Sequence, residues 1–431
     1  MKQESKTQVI SSNGSPAGNS HLGQEYLPLS DAMLEDPYSF FERARREESI
    51  FYSDFLHAWI VTRYDDAMAI LKQPALFSSK DTMQPPAEYP PSVRAILDTF
   101  PDTFPLATGT QPVDSDGELH KCYRGALSSS FTPASIALLE PFIQNTVDQL
   151  ISQFISLGTV DIIAALAYSV PIRTIFRLLG IPEERMEQCR RWSDDFLMLI
   201  SSQLPEEQQI KCAHSQVAFC KYLATLIEER RKSPKSDLIS NLVNGDGKDF
   251  DISVLVSTLE GLVIAGHVTT ANLISNGLKL LLDPSSYWQR LCEDPESIPW
   301  VIEEILRYES PVQTFFRTTT QEVTIGGISL PKDTRLLLTF GSTNRDEAQF
   351  PEADRFDPMR FSPSNPVTHL AFGHGIHVCL GAPLARLEAR IVFKSLAERL
   401  HGLRLVPGQR LMYIPTMILR GYQQLYVQWD V

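Results

Sequence analysis

A chain of 431 residues with 43% hydrophobic and 21% charged residues has ample material for a large core, which excludes a globally disordered protein. Its formal net charge of -13 repels polyanions, so nucleic acid and anionic membrane are excluded as partners unless a local basic patch intervenes. The six cysteines, at 122, 189, 212, 220, 292 and 379, contain no C-x-x-C pair, which argues against a disulfide framework or zinc site and fits a reducing cytoplasm.

Residues 1–25 are rich in Ser, Asn and Gly and predict a disordered tail, leaving 26–431 as one domain. They lack the apolar core of a signal peptide. No stretch reads as the roughly 18 apolar residues of a membrane span, so no membrane anchor is expected. After Asp36-Pro37, the segment YSFFERARREE predicts an amphipathic helix, and IFYSDFLHAWIVTRY alternates as a short hairpin. Residues 80–115, rich in Pro, Thr and Asp, read as one long loop. From Gly117 to about Asp283 the pattern is helical, broken at Pro133, Gly158, Pro182, Pro205 and Pro234. Its longest helix, from about Asp251 to Leu282, spans nearly 50 Å at about 1.5 Å per residue. A further helix covers 298–308, strand-like pieces occupy 313–340, and a last helix runs from about Pro383 to Leu400 before a β-like end. The fold class is mainly α with a small β portion.

The segment Phe372-Gly373-His374-Gly375-Ile376-His377-Val378-Cys379-Leu380-Gly381 carries the most chemistry. Its glycines permit a tight, kinked loop. The cysteine then opens a helix with Pro383 in the first turn, where unpaired amides and the helix dipole stabilise a thiolate. A soft thiolate suits haem iron. A buried structural cysteine would account for Cys379 alone, but not for the glycines, the aromatic and the histidine at these spacings.

F-G-x-G-x-H-x-C-x-G resembles the haem-binding signature of bacterial cytochromes P-450, and every position matches. Glu304-Ile305-Leu306-Arg307 resembles the family's E-x-x-R, and Pro358-Met359-Arg360-Phe361 its later P-x-R-F segment. The resemblance implies a structural triad of Glu304, Arg307 and Arg360. Physically, Glu304 and Arg307 share one helix face, and a buried carboxylate can satisfy two guanidinium groups. Asp116-Gly117-Glu118-Leu119-His120 with Arg124 resembles the helix that reaches a haem propionate, and Arg317 and His377 match the other propionate partners. A weaker match is Asn344-Arg345-Asp346. The resemblance runs from Asp36 to the C-terminus. It implies the cytochrome P-450 fold with haem b held between the long helix and the cysteine loop, and Cys379 on the iron.

Within the long helix, Ala265-Gly266-His267-Val268-Thr269-Thr270 resembles A-G-x-[D/E]-T-T, in which small residues admit dioxygen and the threonine helps to protonate it. Ala265, Gly266 and Thr269 match. Val268 stands where the acid belongs and relays no proton. Protons then come from His267, solvent or substrate, or the chemistry departs from plain hydroxylation. The family's layout lines an apolar substrate pocket with Phe100, Phe104, Leu106, Leu262, Val263, Val312, Phe315, Thr416 and Met417.

The implied activity is a monooxygenase acting on a small, largely apolar organic substrate, in secondary metabolism. No G-x-G-x-x-G follows a strand, so electrons are expected from a separate ferredoxin and its NAD(P)H-dependent reductase. Lys121, Arg386 and Arg390 are candidates for the cationic patch that docks an acidic ferredoxin. Two rival readings are a peroxide-driven haem-thiolate oxidase and a degenerate protein that binds haem and ligand without turnover.

Overall fold

Proline and glycine divide the helical part of the chain at the expected places. In the computed structural model, which describes residues 20–431 except 81, 83–87, 101, 104–108, 202–203, 285 and 364–366, helix α1 (Gly117–Ser128) follows Asp116. Helix α2 (Ser169–Leu179) ends at Gly180. Pro182 and Pro205 precede α3 (Glu183–Ser201) and α4 (Glu206–Lys232).

The long helix α5 (Ile252–Leu282) is buried along most of its length. It is also long and apolar enough to cross a membrane, contrary to the sequence expectation, and half of its most apolar window is buried inside the protein. It packs against α2 and α4 and crosses α7 (Ala382–Arg399), which also meets α6 (Ile298–Tyr308).

The sheet gathers strands from both ends of the chain. Strands β1 (Ile50–Ser53) and β2 (Ala58–Val61) form the predicted hairpin, with Ile50 opposite Val61. Strand β2 runs parallel to β5 (Arg335–Thr339), which pairs antiparallel with β4 (Thr314–Thr319), and β3 (Phe77–Ser78) forms the edge. Both faces of the hairpin are covered. Ile50, Tyr52, Trp59 and Val61 pack into one apolar cluster, while Phe51, Ala58 and Ile60 pack into another, the period of two expected of a strand.

Two expectations for loops fail for the same reason. Residues 21–25 of the supposed tail form the helix His21–Glu25, because Leu22 and Tyr26 cover the sheet cluster containing Phe51. Residues 1–19 of that tail lie outside the described residues. The 80–115 segment contains the helix Pro91–Leu97 and a 3-10 turn at Pro112–Asp114. Val93 and Leu97 pack on Leu199, Cys212 and Ala213 of α3 and α4, a tertiary contact that composition does not reveal.

Helices α6 and α7 are tied by charge. Arg386 Nε and Nη2 donate to Glu303 at 2.7 and 2.8 Å, and His369 Nε2 lies 3.1 Å from the same carboxylate. Burial raises the Glu303 pKa, but Arg386 and His369 outweigh it and hold the group down at about 2. A depressed carboxylate contributes stability above its ordinary value of 4.5 and loses it as pH falls towards about 2. Glu303→Gln should therefore be less stable than wild type at neutral pH. Urea titrations from pH 7 to pH 2 should show that gap closing, and a gap independent of pH would show that the ion pair is not its source.

Candidate active site

The loop before α7 is shaped by backbone constraints. Gly373 and Gly375 have φ of 67° and 73°. A Cβ on Gly375 would stand 2.6 Å from the carbonyl oxygen of Leu71, so no side chain fits there. The Cys379 amide donates to the Phe372 carbonyl at 2.8 Å, closing the loop three residues before α7. Cys379 is exposed to the cavity but ringed by protein, and this desolvation pushes its thiol up, while the amides of Gly381 and Ala382 and the guanidinium groups of Arg124 and Arg386 favour the thiolate. Its sulfur opens onto a cavity of 340 Å³ that extends from the loop to α5.

Arg124, Arg317 and His377 line one wall of this cavity with His120 behind them, and Asp116 acts on His120 and Arg317 without an ion pair to either. The rings of His120 and His377 lie 4.2 Å apart, and each has a buried Nε2 with no partner. Arg317 is 6% exposed and, among the described residues, donates to Thr82 Oγ1 at 3.2 Å and to the Phe316 carbonyl at 2.6 Å. Neither Arg317 nor Arg124 is in a salt bridge among the described residues. Burial lowers Arg317 to about 10, and burial with Arg317, His120 and Arg124 lowers His377 to about 3. Such a cluster suits a dianion at the cavity edge, as the two propionates of haem provide.

Behind the loop, Glu304 and Arg307 are fully buried and form two hydrogen bonds of 2.7 Å. Arg360 Nε approaches Glu304 at 3.4 Å. Arg307 also donates to the carbonyls of Asn344 and Ala353, at 3.0 and 2.8 Å. The predicted trio is thus assembled in space.

On α5, Ala265, Gly266 and Thr269 line the cavity, and the Thr269 hydroxyl donates to the Ala265 carbonyl at 2.8 Å. Val268 is 6% exposed and turns away from the cavity, as does the fully buried His267. Burial lowers His267 to about 4, so it is neutral at ordinary pH. Its Nε2 meets the Tyr168 hydroxyl at 3.0 Å, Tyr168 bonds Asp194 of α3, and Asp194 pairs with Arg190 at 2.8 Å. His267 is therefore part of a tie between α5 and α3, and not a group facing the cavity.

A carboxyl that the sequence reading missed does face it. Glu388 of α7 lines the cavity, is 1% exposed, and has no hydrogen-bond partner on either oxygen. Burial raises it to about 8, with the nearby hydroxyls of Thr174 and Thr270 acting in the opposite direction. Those hydroxyls influence the carboxyl without reaching hydrogen-bonding geometry. The detectable signal was its spacing: Leu384, Glu388 and Ile391 fall on one face of a helix whose neighbours there are apolar.

Of the predicted pocket residues, Leu262, Val312 and Phe315 line the cavity. Val263 does not, because its position on α5 points into the core and its carbonyl receives the His267 ring. Thr416 and Met417 do not either. Thr416 Oγ1 accepts from the Ile418 amide at 3.2 Å, a turn that sends Met417 to the sheet cluster and brings Ile418 and Leu419 inward. Phe100 packs against the core, and Phe104 and Leu106 lie outside the described residues. Phe196 and Ile200 of α3, in the 183–235 stretch from which the sequence singled out no residue, form part of the lining. The three docking candidates all have carboxylate partners: Lys121 with Glu118, Arg386 with Glu303 and Arg390 with Glu140.

Known proteins resemble this chain in sequence and in fold. Residues 115–403 match the family model for cytochrome P450. The chain is 33% identical over 411 residues to cytochrome P450 107B1 of Saccharopolyspora erythraea, covering 94% of this chain and 98% of that one. It is 33% identical over 427 residues to the cytochrome P450 monooxygenase PikC of Streptomyces venezuelae, covering 95% and 93% respectively. An intact type IV self-sufficient cytochrome P450 monooxygenase superposes with a TM-score of 0.90 at 32% identity, over 98% of this chain and 55% of that protein. The chain belongs to the cytochrome P450 family and is a monooxygenase of bacterial type, with haem b as its cofactor.

Removing Arg307 would leave the Glu304 charge buried with Arg360 as its one remaining arginine. Arg307→Ala should cost about 3–5 kcal/mol, the usual price of breaking a buried pair. Denaturant titration should register that loss together with a fall in haem content per chain. A change under about 1 kcal/mol would mean that the pair is not holding the loop.

Proposed function

We propose that this chain is a haem-thiolate monooxygenase with Cys379 as the iron ligand, oxidising a small, largely apolar organic substrate in the cytoplasm as part of specialised metabolism. The observation that carries the reading is one cavity bounded at one end by the Cys379 sulfur and the unpaired donors, and at the other by Ala265, Gly266 and Thr269. His120, Arg124, Arg317 and His377 would hold the propionates. When bound, haem supplies the activation of dioxygen and the transfer of oxygen to the substrate.

The protein's own groups then position substrate and move protons. Leu262, Phe315 and Phe196 exclude water from the apolar end of the cavity. Thr269 offers a hydroxyl that can accept one proton while donating another. With Val268 in the acid's place, Glu388 is the only carboxyl among the described lining residues. Its pKa near 8 keeps it protonated at neutral pH, which makes it a proton source beside Thr270. Electrons come from a separate ferredoxin and its NAD(P)H-dependent reductase. Lys121, the most exposed of the docking candidates, is the one most easily released from its carboxylate partner.

Val268 favours one second reading, a peroxide-driven oxidase that does not need controlled proton delivery.

The reduced carbonyl complex should show the red-shifted Soret band of thiolate ligation, and Cys379→Ala should lose it. Persistence of the band in that variant would reject the assignment.

Proton supply is read as product formed per NAD(P)H consumed with a surrogate ferredoxin system. Thr269→Ala and Glu388→Gln should each lower that ratio by about a hundredfold, the low end of the range for one proton-transfer group. In wild type the ratio should fall as pH rises through about 8, where Glu388 ionises, and in Glu388→Gln it should be low at every pH. Indifference to both substitutions, with vigorous turnover on peroxide alone, would establish the peroxide-driven reading instead.

A further inference from the structure

The stripe of α5 that faces the cavity continues beyond the oxygen motif. Thr269, Ala265, Leu262, Gly261 and Thr258 recur at helical spacing and all line the cavity. At about 1.5 Å per residue, Gly261 lies about 12 Å and Thr258 about 16 Å from Thr269 along the axis.

At that remote end the Thr258 hydroxyl and the NH₂ of Gln111 have no hydrogen-bond partner among the described residues. Thr258 is 4% exposed, yet its hydroxyl bonds no carbonyl among the described residues. A helical threonine ordinarily satisfies itself on the preceding turn. Thr269 of the same helix does so on Ala265, as Thr174 does on Val170. Across from it, Gln111 is 5% exposed and its amide rests against Gly261, where a Cβ would stand 2.2 Å from Oε1. A capping box fixes the orientation of that amide: the Gln111 side chain accepts from the Asp114 amide, and Asp114 accepts from the Gln111 amide at 2.9 Å. Its oxygen is engaged, so the NH₂ group is the end left to donate.

Charge is distributed the other way. The arginines in the described lining, Arg124 and Arg317, stand with His377 in the donor cluster near the cysteine loop. The stripe from Thr258 to Ala265 and the facing Phe196, Leu197 and Ile200 carry none. Gln111 adjoins Pro112, whose backbone meets His377, but a carboxylate held at Thr258 would be desolvated with no cationic side chain on the stripe to pair it.

We infer that the cavity selects an elongated, uncharged molecule whose one hydrogen-bond acceptor is held by Thr258 and Gln111 while its apolar far end lies at Thr269. The inference rests on the haem-thiolate reading above and adds the substrate class and the group that fixes the oxidised position.

The test uses the haem-loaded ferric protein, titrated with dodecanol, dodecanamide, dodecanoate and dodecane while the spin-state shift of the Soret band is followed. The alcohol and amide should bind about tenfold more tightly than the carboxylate or the alkane, the value of one buried hydrogen bond. Thr258→Val, and separately Gln111→Leu, should remove most of that preference and leave dodecane unchanged. Thr258→Ser keeps the hydroxyl and should retain it, which separates loss of the anchor from loss of the fold. Equal affinity for all four probes, or a preference that survives in both variants, overturns the inference. The carbonyl band measured on the same samples keeps the two readings apart: its absence defeats the haem-thiolate assignment, whereas its presence with no discrimination defeats only the anchor.

Discussion

Glu304 and Arg307 are two full charges with no access to water, and the region behind the cysteine loop is organised around keeping them satisfied. Removing such ions from solvent costs several kcal/mol each, so the pair is tolerable only when every lone pair and N–H has a partner. Arg307 therefore requires the carbonyls of Asn344 and Ala353, and Glu304 requires the Asp357 amide, which donates at 2.8 Å. These partners lie on an irregular segment that no regular ladder would hold in place. Asn344 carries the register onward, accepting from the Leu370 amide at 2.6 Å and donating to Ser310 at 2.8 Å. Leu370 stands at the entrance to the cysteine loop. The position of the sulfur is thus set from α6 through a chain of polar contacts rather than by the loop alone.

Local chemistry of this kind is what a sequence displays best. The cysteine loop is legible because positive φ demands glycine and a pinched contact with Leu71 excludes everything else. The Glu304–Arg307 pair is legible because three residues along a helix place both on one face. Which side chain faces the cavity is a different matter. Thr416 and Met417 were one turn away from the residues that do, and the bond from Ile418 to Thr416 that makes the difference is invisible in composition. The helix at Pro91–Leu97 exists because α3 and α4 give Val93 and Leu97 somewhere to pack. Glu388 reads as an ordinary helix charge until the surrounding apolar face is seen.

Two polar systems meet the long helix from opposite directions. One, through His267, Tyr168, Asp194 and Arg190, reaches towards the surface and ends on the side of α5 turned away from the cavity. The other is the solitary carboxyl of Glu388, enclosed and facing inward. Val268, between His267 and Thr269 in sequence, can neither donate nor accept and so adds no polar link between them. His267 is held neutral by burial, so the tie to α3 adds no cation next to the donors that already line the far wall. The arrangement keeps the α5–α3 tie and the carboxyl of α7 apart.

The unpaired donors beside the cysteine loop bear on how the protein matures. Among the described residues, Nε2 of His120 and of His377 is buried without a partner, and Arg317 is buried without a salt bridge. Each is a penalty on the folded chain that water would relieve in the unfolded one. A dianionic cofactor removes those penalties together and binds only the folded state, so mass action draws the folding equilibrium towards the loaded form. Cofactor supply therefore enters the stability of the fold itself: the chain without haem would unfold more readily and be cleaved by protease faster than the loaded form.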